Sequence, residues 1–243
     1  MALFSREGIY VELLSVRERS VSELAEKMFI SEPTVRRDIL TLKEKDMVRC
    51  RRGIVSLKTG YSDRRIPLSV RDYECIEEKR AIAVKAAKEI KDGDTVMLDA
   101  STTAGCLVPH IAKLKNVLVI TNGARTALEL NSFGIKTLCS GGELTPESSS
   151  YIGPDAEKML SGYNADIAFF SCRGLTEDGA ATDTSIMENS MRRIMMKNSK
   201  RKFLLCDSSK IGKKYLSSLC SKDEIDGIIS DAEIKTNGKK LNA

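Results

Sequence analysis

Five short polar clusters carry the groups best suited to hold a small anion or a sugar: Asp99-Ala100-Ser101-Thr102-Thr103, Thr121-Asn122-Gly123, Ser140-Gly141-Gly142-Glu143, Ser171-Cys172-Arg173-Gly174 and Asp207-Ser208-Ser209-Lys210. The Ser101, Thr102 and Thr103 hydroxyls, with the backbone amides of a following helix, suit a phosphate. Lys210 supplies a cation for the same charge, and Asp99 and Asn122 suit sugar hydroxyls. Gly141-Gly142 lets backbone come close to a ligand. Each cluster alone reads as a capped turn; the five together point to a small, polar, anionic ligand. Asp178-Gly179 is read as a simple turn as readily as a part of a pocket.

A second group is basic and lies near the N-terminus: Ser31, Thr34, Arg36 and Arg37, then Arg49, Arg51 and Arg52. Arginine grips guanine bidentately or bridges phosphates, and hydroxyls at a helix start bind phosphate oxygens. The competing reading is a solvated face, with Arg37 paired to Asp38 or Glu44.

Other chemistries find few supporting residues. His110 is the only histidine, so no His/Cys metal cluster and no Ser-His-Asp triad forms without it, and its place after Pro109 reads as structural. The 7 cysteines are odd in number and lack a C-x-x-C pair; most are expected to be buried thiols. No catalytic residue, metal or cofactor is expected. An isomerase acting by proton transfer would need its carboxylate base from Asp99, Glu143 or Asp178.

These residues need elements to position them. Ile9, Tyr10, Leu13 and Val16 follow helical spacing. Ser20 and Glu23 form an S-x-x-E capping box ahead of Val21, Leu24, Ala25 and Met28. Ser31 caps a third helix, whose inward residues are Val35, Ile39 and Leu42, which leaves Thr34, Arg36 and Arg37 to project outward. Met47 to Leu57 reads as a hairpin with an Arg51-Arg52-Gly53 tip, a basic wing on a helix-turn-helix. Polar residues from Lys58 onward read as a linker. After it come a helix through Ile82, Ala83, Ala86, Ala87 and Ile90, and short apolar strands at Thr95–Leu98, Val117–Ile120, Lys136–Cys139, Ile167–Phe170, Phe203–Cys206 and Gly227–Ile229, alternating with helices as a parallel α/β sheet requires. The expected organisation is a winged helix over 1–57, a linker over 58–75 and an α/β domain over 76–243. In such sheets ligands sit at the strand C-termini, where the five polar clusters fall.

Ser31-Glu32-Pro33-Thr34-Val35-Arg36-Arg37-Asp38-Ile39 resembles the S-x-x-T-[VI]-R-R-D-[LI] signature of DeoR-type bacterial transcription repressors. The second region resembles their sensor domain, similar in fold to ribose-5-phosphate isomerase: D-A-G-T-T matches Asp99–Thr103, T-N-[SG] matches Thr121–Gly123, the double glycine matches Gly141-Gly142, and D-S-S-K matches Asp207–Lys210. Three positions depart from the pattern. Phe29 stands where a glycine is usual, Arg51-Arg52-Gly53 replaces H-G-G, and Ser101 replaces glycine. The resemblance implies a repressor of a carbohydrate catabolic operon that binds double-stranded operator DNA, responds to a phosphorylated sugar and acts as a homo-oligomer. The alternative is a sugar-phosphate isomerase with a fused basic domain.

The bulk properties agree with this division. The chain has 243 residues, 42% hydrophobic and 30% charged, which excludes a largely disordered or fibrous chain. Residues 1–65 hold 14 Lys/Arg against 10 Asp/Glu, most of the net +5, and so can attract a polyanion. No apolar run reaches the roughly 18 residues of a spanning helix, and Arg6, Glu7 and Glu12 disqualify a signal peptide, so a cytoplasmic protein is expected.

Overall fold

A computed structural model of the chain describes residues 5–16, 18–44, 47–57, 68–236 and 239–240. The chain divides into two units, Met1–Glu74 and Cys75–Ala243. Of the expected linker, residues 58–67 lie outside the described residues. Its later part is not simple linker, because Leu68–Arg71 is a helical turn (α4) within the first unit, lying against the first helix.

In the first unit, α1 (Ser5–Val16), α2 (Val21–Met28) and α3 (Glu32–Glu44) pack with a sheet of β1 (Glu18–Ser20), β2 (Val48–Arg51) and β3 (Ile54–Leu57), in the order β1-β3-β2. Ile9, Leu13, Leu24, Val35, Ile39, Leu42, Met47 and Val55 close its core. Val16, expected inside, is 38% exposed because it ends α1. Strand β1 has no sequence signal: three polar residues pair with Ile54–Ser56 and lead straight into α2. The expected capping box is present, with the Glu23 amide donating to Ser20 Oγ at 3.1 Å and the Ser20 amide to Glu23 Oε2 at 2.8 Å. Ser20→Ala is therefore expected to cost about 1 kcal/mol, measurable as a lower urea midpoint; an unchanged midpoint would mean that water satisfies those amides equally well.

The second unit begins with α5 (Ile76–Ala86) and carries a six-stranded parallel sheet. Its strands are β4 (Thr95–Leu98), β5 (Leu118–Thr121), β6 (Lys136–Cys139), β9 (Ala165–Ser171), β12 (Ser199–Leu205) and β14 (Gly227–Ile229), in the order β14-β12-β9-β4-β5-β6. Five short pieces interrupt the alternation: a hairpin of β7 (Glu143–Leu144) and β8 (Tyr151–Ile152), and a small sheet of β10 (Gly174–Leu175), β11 (Ala181–Asp183) and β13 (Ser217–Cys220). The helices are α6 (Thr102–Gly105), α7 (Val108–Ile111), α8 (Ala124–Ser132), α9 (Pro154–Ser161) and α10 (Ile186–Lys197).

Helices cover both faces of the large sheet, so its inner strands are apolar on both sides, while the edge strand β6 has no buried residue. Along β9, Ile167 and Phe169 enter one core with Ile82, Val96 and Phe203, while Ala168 and Phe170 enter the other with Met97, Leu160 and Met195. All six strands foreseen from apolar runs are present, with ends shifted by a few residues. The sheet order reverses at β4: the chain runs outward through β5 and β6, then returns to β4's other side with β9. The C-terminal ends of β4 and β9 therefore flank the topological switch point, where open α/β sheets leave a crevice. No helix of the described residues is long and apolar enough to cross a membrane.

Candidate functional site

On the first unit, α3 buries Val35, Asp38, Ile39 and Leu42 and turns Arg36, Arg37 and Leu40 outward. Ser31 Oγ caps it, accepting from the Thr34 amide at 3.4 Å and sharing a 2.9 Å hydrogen bond with Thr34 Oγ1. Both hydroxyls thus sit at the positive end of α3. Arg36 pairs with Glu32 at 3.0 Å, in place of the weighed Arg37 pairing with Asp38 or Glu44; Arg37 makes no ion pair among the described residues. The hairpin register Arg51↔Ile54 leaves a two-residue turn, Arg52 at φ 49° and Gly53 at φ 79°, the type I′ form that matches strand twist. Val48 faces the core, so Arg49 and Arg51 alternate outward, and with Arg52 they are exposed. These three arginines also make no ion pair among the described residues. The unit thus presents a helix end and a wing, both basic.

Phe29, between α2 and α3, takes a left-handed conformation at φ 54°, ψ 39°. Left-handed backbone costs an L-residue about 1–2 kcal/mol.

In the second unit the switch point is occupied by the chain itself. Arg192, on the inward face of α10, reaches Asp183 Oδ2 at 2.7 Å, Asp99 Oδ2 at 2.9 Å, Asn189 Oδ1 at 3.1 Å and Glu188 Oε2 at 3.2 Å. Burial would lower the guanidinium's proton affinity, but the Asp183, Asp99 and Glu188 carboxylates outweigh it and hold Arg192 firmly charged. Burial likewise pushes the Asp183 carboxyl up, and Arg192 with the Ser185 amide overrides this, leaving it below the usual carboxylate range. Asp99 is fully engaged: Oδ1 accepts from the Ser101 hydroxyl at 2.5 Å and amide at 3.1 Å, and Oδ2 accepts from the Ser171 amide at 3.2 Å as well as from Arg192. Asp99, expected to serve sugar hydroxyls, uses its lone pairs here to hold the crevice together.

Ser101 also has a structural task, because its Oγ accepts from the Ala104 amide at 3.1 Å and caps α6. Gly142 is required by packing: at φ 106°, an added Cβ would lie 2.7 Å from the Ile152 carbonyl oxygen and 2.9 Å from Ala156 Cβ. Gly141, at φ 62°, has open space where a Cβ would stand, so only its left-handed backbone favours glycine.

Other foreseen residues keep unused polar capacity. The Thr102 hydroxyl is half-exposed at the β4 mouth and has no hydrogen bond among the described residues. Thr103 Oγ1 and Asn122 Oδ1 are buried without a partner among the described residues, while Asn122 Nδ2 donates to the Tyr151 carbonyl at 3.0 Å and so fixes the amide's orientation. Lys210 Nζ donates to Ser171 Oγ at 2.9 Å and pairs with Asp207 at 3.1 Å, using two of its three protons. Burial pushes the Lys210 amine down, and Asp207 outweighs that and raises it; the Asp207 carboxyl, pushed up by burial, is in turn brought below its usual range by Lys210.

The sequence reading missed Arg192, Asp183 and Glu188. It also missed Thr145, Ser148 and Ser150, whose hydroxyls bond one another at 2.6–3.0 Å before Ser150 Oγ donates to Glu188 at 3.1 Å. The available signal was Glu188-Asn189-x-x-Arg192, which puts an acid and a base one turn apart on a helix whose other inward residues are methionines. Asp178 is exposed in a turn with Thr176, and Glu143 is exposed, so neither is poised as a buried base. The cysteines depart from expectation: Cys172, Cys206 and Cys220 are buried, Cys50, Cys75 and Cys106 half-buried, and Cys139 exposed, all as free thiols. Among the described residues no group of His, Cys, Asp and Glu could hold a metal ion.

Two family models match in series, the DeoR-like helix-turn-helix domain over residues 6–59 and the DeoR C terminal sensor domain over residues 74–232. The chain belongs to the DeoR family. This DeoR-family chain is 34% identical over 235 residues to the HTH-type transcriptional regulator YulB of Bacillus subtilis (strain 168), covering 96% of this chain and 90% of that one. It is 31% identical to the lactose phosphotransferase system repressor of Staphylococcus epidermidis, covering 86% and 84%, and 33% identical to the L-fucose operon activator of Haemophilus influenzae, covering 91% and 88%. Among solved structures, translation initiation factor eIF-2B of Pyrococcus horikoshii OT3 matches with a TM-score of 0.52 at 14% identity, covering 96% and 89%; that likeness concerns fold alone. Ribose-5-phosphate isomerase A of Methanocaldococcus jannaschii matches with a TM-score of 0.43 at 19% identity, covering 56% and 55%. The DeoR-family chain is a DNA-binding transcriptional regulator.

Proposed function

We propose that this DeoR-family regulator represses a carbohydrate catabolic operon and takes a phosphorylated sugar as its allosteric effector. The observation that carries the reading is the division of polar surface among the described residues: arginines without ion pairs on the helix-and-wing unit, and, at the strand mouths of a separate α/β unit, hydroxyls and an amide oxygen without partners beside an ammonium with one proton to spare. Ser31, Thr34, Arg36 and Arg37 meet the major groove, and Arg49, Arg51 and Arg52 follow the flanking phosphates. Thr102, with Lys210's remaining proton, serves the effector's phosphate, and Asn122 and Thr103 serve its hydroxyls. Relatives named for lactose and L-fucose systems support sugar as the ligand class, one a repressor and the other an activator. The isomerase alternative lacks support, because Asp99 is consumed by Arg192 and the relatives are regulators. Half-site recognition favours at least a homodimer.

Effector and DNA affinities must be linked. A thermal-shift screen over phosphorylated sugars should yield a stabilising compound, and Thr102→Ala should remove that stabilisation without changing the melting temperature of the free protein. The same compound should lower affinity for duplex DNA, and DNA should lower affinity for the compound by the same factor. Equal effector affinities with and without DNA would end the allosteric reading.

A further inference from the structure

Two unfavourable features meet at Phe29. Its backbone is left-handed, a region that a bulky aromatic rarely enters, and its side chain is 95% exposed, so no packing within the first unit compensates. The backbone shape is imposed by the end of α2: the Phe29 amide donates to the Glu26 carbonyl at 3.2 Å and the Ile30 amide to the Ala25 carbonyl at 3.1 Å. This is the helix-closing arrangement that glycine meets with least strain. Folding therefore accounts for the turn and leaves the ring unexplained.

The ring's location supplies an explanation. It leaves the chain two residues before Ser31, the cap of α3. Leu40, 59% exposed, lies on the same outward face of α3 as Arg36 and Arg37. A surface that met only phosphates would need cations and hydrogen-bond donors, with no use for exposed apolar groups. Base edges differ, because thymine offers a 5-methyl group to the major groove beside the acceptors that arginine reads.

We propose that the Phe29 ring packs against a thymine 5-methyl group in the major groove, beside the bases read by α3. The inference rests on α3 being the DNA-reading helix. It makes Phe29 a specificity-determining residue that selects an A·T pair at one position of the operator.

The test uses the full chain and the duplex it enriches from a random-core library. Phe29→Gly is expected to bind that duplex roughly tenfold more weakly while melting no lower than the parent protein. Replacing thymidines one at a time by deoxyuridine removes single methyl groups. One such replacement should weaken the parent protein and leave the glycine variant unaffected, and Phe29→Leu should regain part of the loss. A glycine variant that binds as tightly as the parent, or that loses as much as the parent at every deoxyuridine, overturns the proposal while DNA binding stands. A variant that changes the sedimenting mass instead assigns the ring to a protein interface, and overturns it too. Failure of the parent chain to enrich any duplex removes both this proposal and the reading of α3 beneath it.

Discussion

Replacing Arg192 with leucine is expected to destabilise the Cys75–Ala243 unit by about 3–5 kcal/mol, the usual result of removing one partner from a buried ionic cluster. The guanidinium is 8% exposed and touches Asp99, Asp183 and Glu188, which are 2%, 3% and 17% exposed. Leucine would leave three carboxylates facing one another with little water to solvate them. The chain has no tryptophan, so urea unfolding followed by far-ultraviolet circular dichroism is the suitable measurement. Arg192→Lys keeps the charge and loses the planar fork that reaches several carboxylates at once, so it should fall between the parent and leucine. A loss below about 1 kcal/mol for leucine, within the range of a surface pair, would show that the carboxylates are hydrated or already neutral.

This cluster and the separate Lys210–Asp207 pair fix a pH dependence. The Asp183 and Asp207 carboxyls sit below their usual range in the folded chain, despite burial, because Arg192 and Lys210 face them. Their contribution to stability is present above the unfolded value of about 3.9 and is lost as pH falls through the lowered folded values. Lys210 is raised, chiefly by Asp207 acting against burial, so its contribution is full below the unfolded value of about 10.4 and is lost as pH climbs through the folded value. In Arg192→Leu the sign reverses for Asp183, whereas Asp207 keeps Lys210 as its partner. Lacking its cation, the Asp183 carboxyl rises above its unfolded value, takes up a proton on folding, and makes the variant's deficit smaller at pH 5 than at pH 7.

The inner strands were legible because their buried stretches read as uninterrupted apolar runs, as at Ile167–Phe170, whereas the edge strand Lys136–Cys139 has no buried residue. The helix-turn-helix was legible because the Ser20 and Ser31 caps mark its second and third helices. What escaped was short and polar. Glu18–Ser20 and Ala181–Asp183 are strands by virtue of their partners, Ile54–Ser56 and Ser217–Cys220, and nothing in three residues announces such pairing. The ionic cluster escaped for a related reason. Its members come from β4, β11 and α10, separated by up to 93 positions in the chain, and only the sheet order brings them to one point. Gly142 and Ser101 also carry tasks that the residue types did not announce. Their residue types suggested ligand contact, and the structure adds a close backbone approach for one and a helix cap for the other.

Arg36→Ala should weaken binding to the selected duplex by roughly ten- to a hundredfold, the range of one bidentate arginine–guanine contact, with random duplex much less affected. Arg36 and Glu32 are 60% and 44% exposed, so removing their pair should leave the melting temperature nearly unchanged. Arg51→Ala and Arg52→Ala should behave otherwise, since wing arginines that follow the phosphates act without regard to sequence. Each should weaken operator and random duplex alike and reduce the slope of log affinity against log salt by about 0.9 for every phosphate left unneutralised. Equal losses on both duplexes for Arg36→Ala would reassign it to the backbone. The Glu32 carboxylate sharpens the contrast: it holds Arg36 at 3.0 Å in the free protein, and with α3 in the major groove as proposed it would repel phosphates. Glu32→Gln should therefore raise affinity for random duplex more than for the selected one, narrowing the ratio on which recognition depends.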